Sequence, residues 1–194
     1  MTKDFYIFRH GQSTYNLEGR TQGQTNDSVL TELGREQAAT IGSRLKGKGI
    51  EIIVSSPLTR ALQTAELANK ELNVPVKIDD RFTEVNVGVV EGWHYTKIMA
   101  EYGDVFDKLH HPQAGTDDAC YPGGESKKQV RERVFAGLEE WAAKEEYASI
   151  AVSSHGIMLA QTCVALNQPM QDIKNAAILH IRKDHDTWKI IEWL

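Results

Sequence analysis

A short apolar run that ends abruptly in charged and polar residues is the feature that most constrains this chain. Residues 5–8 have the length and composition of a buried β-strand, and Arg9, His10 and Gly11 follow them directly. In open α/β sheets, ligands bind just beyond the carboxyl ends of the strands. The sequence therefore puts a cation and an imidazole where a substrate would bind, and Gly11 would let the backbone approach an anion closely.

Apolar runs and amphipathic segments alternate along the rest of the chain. Further strands are predicted at residues 50–56, 74–78, 148–156, 176–181 and 187–193. Helices are predicted between them, with Leu33 on the buried face of the first and with Val76 and Ile78 buried in the third strand. This order indicates an α/β fold, a three-layer α/β/α sandwich with a mostly parallel central sheet and an antiparallel edge strand from the final hairpin.

Length and charge exclude several classes of protein. With 194 residues, the chain is expected to form a single domain over 1–194 with a capping insertion at about residues 93–124. A net charge of −5 without a basic stripe argues against nucleic-acid partners, and no apolar stretch approaches membrane-spanning length. Cys120 and Cys163 lie far apart, as is typical of reduced thiols, so a cytoplasmic location is expected.

Three predicted strands end in groups that bind anions. Arg9 and His10 follow the first strand, Arg60 lies in the helix after the second, and His155 ends the fourth. Each has an ordinary structural interpretation alone, because most strand-end histidines and surface arginines are not catalytic. The carboxyl ends of parallel strands share one edge, however, so these residues are expected to converge. Two arginines and two imidazoles favour a metal-free phosphate site in which one imidazole attacks phosphorus.

Two further groups of residues leave alternatives open. Glu84 and Glu91 lie in a segment of mixed period, and either is a solvated charge or a proton donor to a leaving oxygen. His110 and His111 are adjacent, and their spacing matches no standard metal site, so a solvated loop is expected there rather than a metal centre.

The ordered motifs resemble those of a known family over nearly the whole chain. They are Arg9-His10-Gly11-Gln12-Ser13-x-x-Asn16, Leu30-Thr31-x-x-Gly34-x-x-Gln37-Ala38, Ser55-Ser56-Pro57-Leu58-x-Arg60-Ala61-x-Gln63-Thr64-Ala65, Glu84-x-x-x-Gly88-x-x-Glu91-Gly92, Gly124-Glu125-Ser126 and Ser154-His155-Gly156. This set resembles the histidine phosphatase superfamily, in its phosphatase branch of phosphoglycerate mutase-like proteins. The resemblance implies a phosphoglycerate mutase-like fold.

The resemblance also implies roles for individual residues. His10 would be the phosphorylated nucleophile, with Arg9, Arg60 and His155 forming the phosphate pocket, and Glu84 would be the general acid. The positions that match substrate contacts are Asn16, Gln22, Gly23 and Gly156. No cofactor and no metal are implied.

The resemblance is limited at two places in the sequence. Glu91 matches a structural position at most. Residues 27–31 depart from the Asp-x-Pro-Leu-Thr pattern of relatives, with Asn26 as an added residue, which changes the expected shape of the pocket rim.

The family contains both phosphatases and mutases, and the insertion favours hydrolysis here. Mutases carry basic residues that bind the substrate carboxylate, whereas residues 93–124 contain only Lys97 and Lys108 as cations. The expected partner is a small phosphorylated metabolite, with Trp93, Tyr95, Tyr102, Phe106 and Tyr121 available for an apolar cap. A 2,3-bisphosphoglycerate-dependent phosphoglycerate mutase is the alternative, and a non-catalytic phospho-ligand binding protein is disfavoured because His10, Glu84 and His155 are present. The final hairpin offers a sheet edge for a homodimer.

Overall fold

The computed structural model describes residues 2–110, 116–169 and 172–194, whose strands form one sheet. The strands are β1 Thr2–Arg9, β2 Ile52–Ser55, β3 Val76–Ile78, β4 Ser149–Ser154, β5 Ile178–Asp184 and β6 Thr187–Trp193. Their order in the sheet is β3-β2-β4-β1-β5-β6. Parallel pairing joins β3, β2, β4 and β1, whereas β5 runs antiparallel to β1 and forms a hairpin with the edge strand β6. The predicted mixed sheet and edge hairpin are confirmed.

Helices cover both faces of this sheet. They are α1 Thr14–Glu18, α2 Glu32–Leu45, α3 Thr59–Leu72, α4 Tyr95–His110, α5 Lys127–Ala142 and α6 Gly156–Ala165, with 3-10 turns at Asp80–Phe82 and Gly88–Val90. Side chains of β1 alternate between two cores, because Phe5 and Ile7 pack with α5 and α6 while Tyr6 and Phe8 pack with α2 and α3. The predicted α/β fold, phosphoglycerate mutase-like with three layers, is therefore the observed one.

Three predicted buried positions are wrong. Ile78 is 58% exposed and Val76 is only half-buried, because β3 is an edge strand that pairs with β2 alone. Leu33 is 49% exposed, although Ile41 and Leu45 of the same predicted face of α2 are buried. Near its start α2 packs instead through Gly34 and Ala38, small residues that the apolar periodicity of the sequence does not reveal.

The parallel strands end level with one another. In the sheet register, Arg9 lies opposite Ser154, and Ser55 lies opposite Ser153. The residues that follow these strands therefore meet at the same edge, as the sequence predicts. The helices α1, α3 and α6 follow β1, β2 and β4, so each of these strands leads into a helix N-terminus. Thr31 caps the next helix after α1, α2, by accepting a hydrogen bond from the Gly34 amide at 3.1 Å.

A backbone contact between Gly11 and Gly34 joins the end of β1 to the start of α2. A Cβ atom on Gly11 would lie 2.1 Å from the Gly34 carbonyl oxygen, and one on Gly34 would lie 1.9 Å from the Gln12 carbonyl oxygen. The expectation that Gly11 serves close approach to an anion is therefore corrected: its missing side chain makes room for α2. The Gly11 amide donates to Thr64 Oγ1 at 3.1 Å, which ties the same point to α3.

Replacing Gly34 with alanine is expected to lower the free energy of unfolding by about 1–3 kcal/mol or more, because the new methyl group collides with backbone that cannot move independently. Gly103→Ala is the matched control, since nothing lies within 4 Å of its Cβ position, and the helix propensity of alanine should stabilise that variant by up to about 1 kcal/mol. Urea denaturation of both variants measures this. Equal stabilities would show that the close contact does not constrain the fold.

Candidate active site

His10 lies directly after β1 and is almost completely buried. Its Nδ1 lies 2.7 Å from the Gly11 carbonyl oxygen, which can only accept, so Nδ1 carries the proton and Nε2 keeps its lone pair. Burial, helped by the positive charges of Arg60 and Arg9, holds the pKa of His10 well below its usual value. His10 is thus a neutral imidazole with a nucleophilic nitrogen.

His155 forms a second imidazole beside the first. It follows β4, is fully buried, and its ring centroid lies 5.3 Å from that of His10. Its Nε2 is 2.8 Å from Ser56 Oγ, at the end of β2, whereas its buried Nδ1 has no hydrogen-bond partner among the described residues. Burial and the charge of Arg60 hold the pKa of His155 well below its usual value.

Arg9 brings a guanidinium to the same edge. Its Nη1 donates to the Ile173 carbonyl oxygen, and its buried Nε has no partner among the described residues. A Cβ atom on Gly156 would lie 3.3 Å from that Nε, so glycine at the start of α6 leaves space for the guanidinium. Burial lowers the pKa of Arg9, and the negative charge of Glu84 opposes that shift.

Arg60 supplies the second guanidinium from the first turn of α3. It is fully buried, with Nη2 donating to the Gly23 carbonyl oxygen at 2.7 Å and Nη1 donating to the Thr25 carbonyl oxygen at 3.0 Å. Its Nε is buried without a partner among the described residues. Burial lowers the pKa of Arg60 to about 10, so the side chain stays charged at neutral pH. These contacts bind the loop of Gly23 to Arg60.

Three buried nitrogens near His10 therefore lack partners within the described chain: Arg9 Nε, Arg60 Nε and His155 Nδ1. An unpaired buried polar group costs about 1–3 kcal/mol, so such groups are rarely clustered without reason. The remaining buried nitrogen without a hydrogen bond in the described residues is His180 Nδ1 on β5, which lies 3.6 Å from the Glu192 carboxylate. The arrangement around His10 suits an anion with several acceptor oxygens.

Glu84 faces the same cavity from the segment before α4. Its Oε2 accepts from the Ile157 amide at 3.2 Å, and its Oε1 accepts from the Met158 amide at 3.2 Å and from the Val85 amide at 3.0 Å. The carboxylate is thus held at the N-terminus of α6, where the helix dipole favours negative charge. Glu91 instead accepts from the Gln24 amide at 2.8 Å and does not line the cavity.

The cavity has a volume of about 510 Å³ and contains only some of the predicted contact residues. Gln22, Gly23 and Gly156 line it, but Asn16 does not. Asn16 Oδ1 accepts from the Ser13 amide in a capping box at the start of α1, at 3.2 Å. Of the aromatic residues expected in the cap, Tyr95 and Tyr121 reach the cavity. Sequence reasoning missed Asp172 and Ile173 in the wall, because the segment after α6 has no periodicity.

The described residues contain no group of three or more His, Cys, Asp and Glu side chains that could hold a metal ion. His110 instead lies 2.9 Å from the Phe106 carbonyl oxygen through its Nδ1 and stacks on the Phe106 ring at 4.1 Å. His111 lies outside the described residues, as does the remainder of 111–115 in the expected cap. No helix in the described part of the chain is long and apolar enough to cross a membrane.

Comparison with known families shows which kind of protein carries these residues at the carboxyl ends of its parallel strands. Residues 5–194 match the histidine phosphatase superfamily (branch 1). The chain belongs to that superfamily. The resemblance drawn from the motifs is therefore confirmed, and the chain is a histidine phosphatase superfamily enzyme, a phosphatase or a mutase.

Similar proteins within the superfamily carry both kinds of name. "Probable phosphoglycerate mutase GpmB" of Escherichia coli O139:H28 is 32% identical over 195 residues, covering 97% of this chain and 89% of that protein. A mycobacterial glucosyl-3-phosphoglycerate phosphatase, solved with VO3, has a TM-score of 0.87 at 26% identity and covers 98% of both chains. Phosphoglycerate mutase from Bacillus anthracis Sterne has a TM-score of 0.87 at 24% identity over 98% of this chain and 92% of its own, which shows the fold alone.

The two buried imidazoles are expected to make this superfamily member less stable in mild acid. Below about pH 6.5 the unfolded chain binds protons on His10 and His155 that the native state does not bind, so the free energy of unfolding falls as the pH falls. Between pH 6.5 and 5.5 the pair should cost about 2 kcal/mol. In His10→Asn this loss should be roughly halved.

Urea denaturation at the two pH values in phosphate-free buffer measures the effect. His185→Asn is the control, because His185 is exposed in the β5–β6 turn with a φ of 54° that asparagine tolerates. The same pH dependence in both variants would contradict the assignment of His10 as a buried neutral imidazole.

Proposed function

We propose that this protein is a metal-independent phosphatase that hydrolyses small phosphomonoesters through a phosphohistidine on His10. The observation that carries the proposal is the set of three unpaired buried nitrogens, on Arg9, Arg60 and His155, next to a neutral imidazole. A phosphate group supplies acceptor oxygens for such nitrogens and negative charge for two desolvated guanidiniums. Its phosphorus atom would then face the nucleophile.

In the first half-reaction, His10 Nε2 forms a bond to phosphorus while the bond from phosphorus to the leaving oxygen breaks. Arg9, Arg60 and His155 stabilise the charge on the three equatorial oxygens of the transition state. Glu84 in its protonated form gives its proton to the leaving oxygen, so that the product departs as a neutral alcohol. The hydrogen bond from His10 Nδ1 to the Gly11 carbonyl oxygen holds the ring in the reactive tautomer.

In the second half-reaction, water replaces the alcohol. The Glu84 carboxylate takes a proton from water as the water oxygen bonds to phosphorus and the bond from phosphorus to Nε2 breaks. Inorganic phosphate leaves, and both His10 and Glu84 return to their starting protonation states. The same groups therefore serve both halves, and no group beyond the chain, the substrate and water is consumed.

The residues that line the cavity favour hydrolysis rather than transfer of a phosphoryl group between substrates that carry a carboxylate. Arg9 is the one arginine or lysine among the described residues that line the cavity, and the lining also contains Asp172. A second anionic group on the substrate would find no cation of its own. The apolar part of the wall comprises Val85, Val87, Leu109, Tyr121, Ile157, Ala160 and Ile173. These features favour phosphomonoesters of uncharged or aromatic alcohols as substrates.

A phosphoglycerate mutase primed by 2,3-bisphosphoglycerate is the second candidate, favoured by the name of the Escherichia coli relative. It uses the same phosphohistidine and differs only in the acceptor of the phosphoryl group. A non-catalytic phospho-ligand binding protein is the third candidate and is disfavoured, because His10 and Glu84 line the cavity and the His155 ring lies 5.3 Å from that of His10. The proposed partner is a small phosphorylated metabolite, and the two free cysteines, Cys120 and Cys163, support the proposal of a cytoplasmic location.

Hydrolysis of a panel of phosphomonoesters in the presence of EDTA tests the proposal directly. Wild type and the control His185→Asn should release phosphate at equal rates, and His10→Asn should lose on the order of 10³-fold or more in kcat, because the covalent route is removed. The panel includes 3-phosphoglycerate, which should be hydrolysed more slowly than phosphates of uncharged alcohols.

Two results would overturn this proposal. Phosphate release that EDTA abolishes would contradict the metal-independent mechanism. Isomerisation of 3-phosphoglycerate that requires 2,3-bisphosphoglycerate and exceeds hydrolysis of every other substrate would establish the mutase instead.

A further inference from the structure

The segment that carries Glu84 has little secondary structure of its own. It consists of the 3-10 turn Asp80–Phe82 followed by residues 83–87 in no regular element. The Glu84 carboxylate is nevertheless held within hydrogen-bond distance of two amides at the start of α6. The placement of the segment must therefore come from groups outside it.

Arg133 on α5 supplies three of these outside contacts. Its Nη1 donates to the carbonyl oxygens of Arg81 at 2.8 Å and Thr83 at 3.0 Å, and its Nη2 donates to the carbonyl oxygen of Glu84 at 3.2 Å. Its Nε and Nη2 also donate to the two carboxylate oxygens of Glu125, each at 2.9 Å. All five N–H groups of the guanidinium are thus engaged, three of them on the backbone of this segment.

Glu125 completes the arrangement on the other side of Glu84. Its Oε2 accepts from the Asn86 amide at 2.8 Å, and its own amide donates to the Asn86 carbonyl oxygen at 2.8 Å. The side chains of Arg133 and Glu125 are 18% and 23% exposed, so their paired charges are partly shielded from solvent. Gln24 Nε2 adds a hydrogen bond to the Glu84 carbonyl oxygen at 3.0 Å. The backbone of Glu84 is therefore fixed from both directions.

We infer that Arg133 and Glu125 are positioning residues for proton transfer by Glu84. The inference rests on the general-acid role given to Glu84 under the proposed function. Neither residue lines the cavity, and the N–H groups of Arg133 and both carboxylate oxygens of Glu125 are already engaged within the chain, so neither is placed to contact the substrate. Arg133 binds the carbonyl oxygens of Arg81 and Thr83, before Glu84, and Glu125 binds the Asn86 amide, after it. These contacts set the position of the Glu84 carboxyl group relative to the leaving oxygen. A displacement of about 1 Å at such a group can cost on the order of 10²-fold in rate.

Leaving groups of different basicity separate this role from a merely structural one. An alkyl phosphate needs a proton on its leaving oxygen, whereas p-nitrophenyl phosphate releases a stable phenolate without one. Glu84→Gln sets the reference, because it should lower kcat/KM for the alkyl phosphate far more than for the aryl phosphate. Here kcat/KM is the quantity to compare, since it reports the step that releases the leaving group and not the hydrolysis of phosphohistidine that both substrates share. Arg133→Lys keeps the charge and loses the planar fork, so it should lower kcat/KM for the alkyl phosphate about tenfold or more. The same variant should change kcat/KM for p-nitrophenyl phosphate by less than about twofold.

The matched control is Arg131→Lys, on the same helix. Arg131 pairs with Asp117 and makes no hydrogen bond to the Glu84 segment, so both substrates should retain wild-type turnover. In the double variant of Glu84→Gln with Arg133→Lys, the second substitution should add nothing to the loss with the alkyl phosphate, because both act on one proton transfer. Glu125→Gln provides an independent variant with the same expected selectivity if Arg133→Lys folds poorly.

Several outcomes would overturn the inference. One is an equal loss of kcat/KM on the alkyl and the aryl phosphate. The others are an additive loss of kcat/KM in the double variant and an unchanged rate with the alkyl phosphate in a folded Arg133→Lys protein. If Glu84→Gln itself shows no dependence on the leaving group, the general-acid role fails and the inference fails with it. Hydrolysis through His10 would still stand in that case, since it is tested separately by His10→Asn.

Discussion

The desolvation of positive charge around His10 is the constraint on which the rest of the structure depends. Arg9 and Arg60 are buried with few acceptors for their N–H groups, namely the carbonyl oxygens of Ile173, Gly23 and Thr25. Burying a guanidinium is costly, and the neighbouring imidazoles are themselves buried beside these positive charges, so their pKa values fall and they stay neutral. The fold thus keeps a positively charged, partly unpaired site that a phosphate group would complete. It also keeps His10, the proposed nucleophile, unprotonated there.

The backbone holds this site together through close contacts that larger residues would prevent. Gly11 and Gly34 bring the end of β1 against the start of α2, and Gly156 leaves room for Arg9 beside α6. Because β1, β2 and β4 end level in the parallel part of the sheet, the residues that follow these strands lie side by side. The active groups thus rest on sheet and helix ends, whereas the Glu84 segment depends on hydrogen bonds from α5.

The strand-end residues could be predicted because their placement follows from local pattern and sheet topology. An apolar run that stops at a histidine is visible in the sequence, and parallel strands bring such ends together. Glu84 was distinguished from Glu91 only by resemblance, since their segment has no clear period. Arg133 gave no signal, because its partners lie about fifty residues away and a helical arginine is usually solvated. The exposure of Ile78 follows from the order of strands in the sheet, which apolar pattern alone does not determine.

The most direct test of the account is to trap the phosphorylated residue. Glu84→Gln turning over p-nitrophenyl phosphate should accumulate the intermediate, because the group proposed to activate water is gone. Quenching in alkali, which preserves phosphohistidine, followed by mass spectrometry of the peptides, locates the phosphoryl group. The account predicts a phosphoryl group on His10 that forms with the release of p-nitrophenolate. A phosphoryl group on His155, or release of p-nitrophenolate over many turnovers with no phosphorylated peptide, would contradict it.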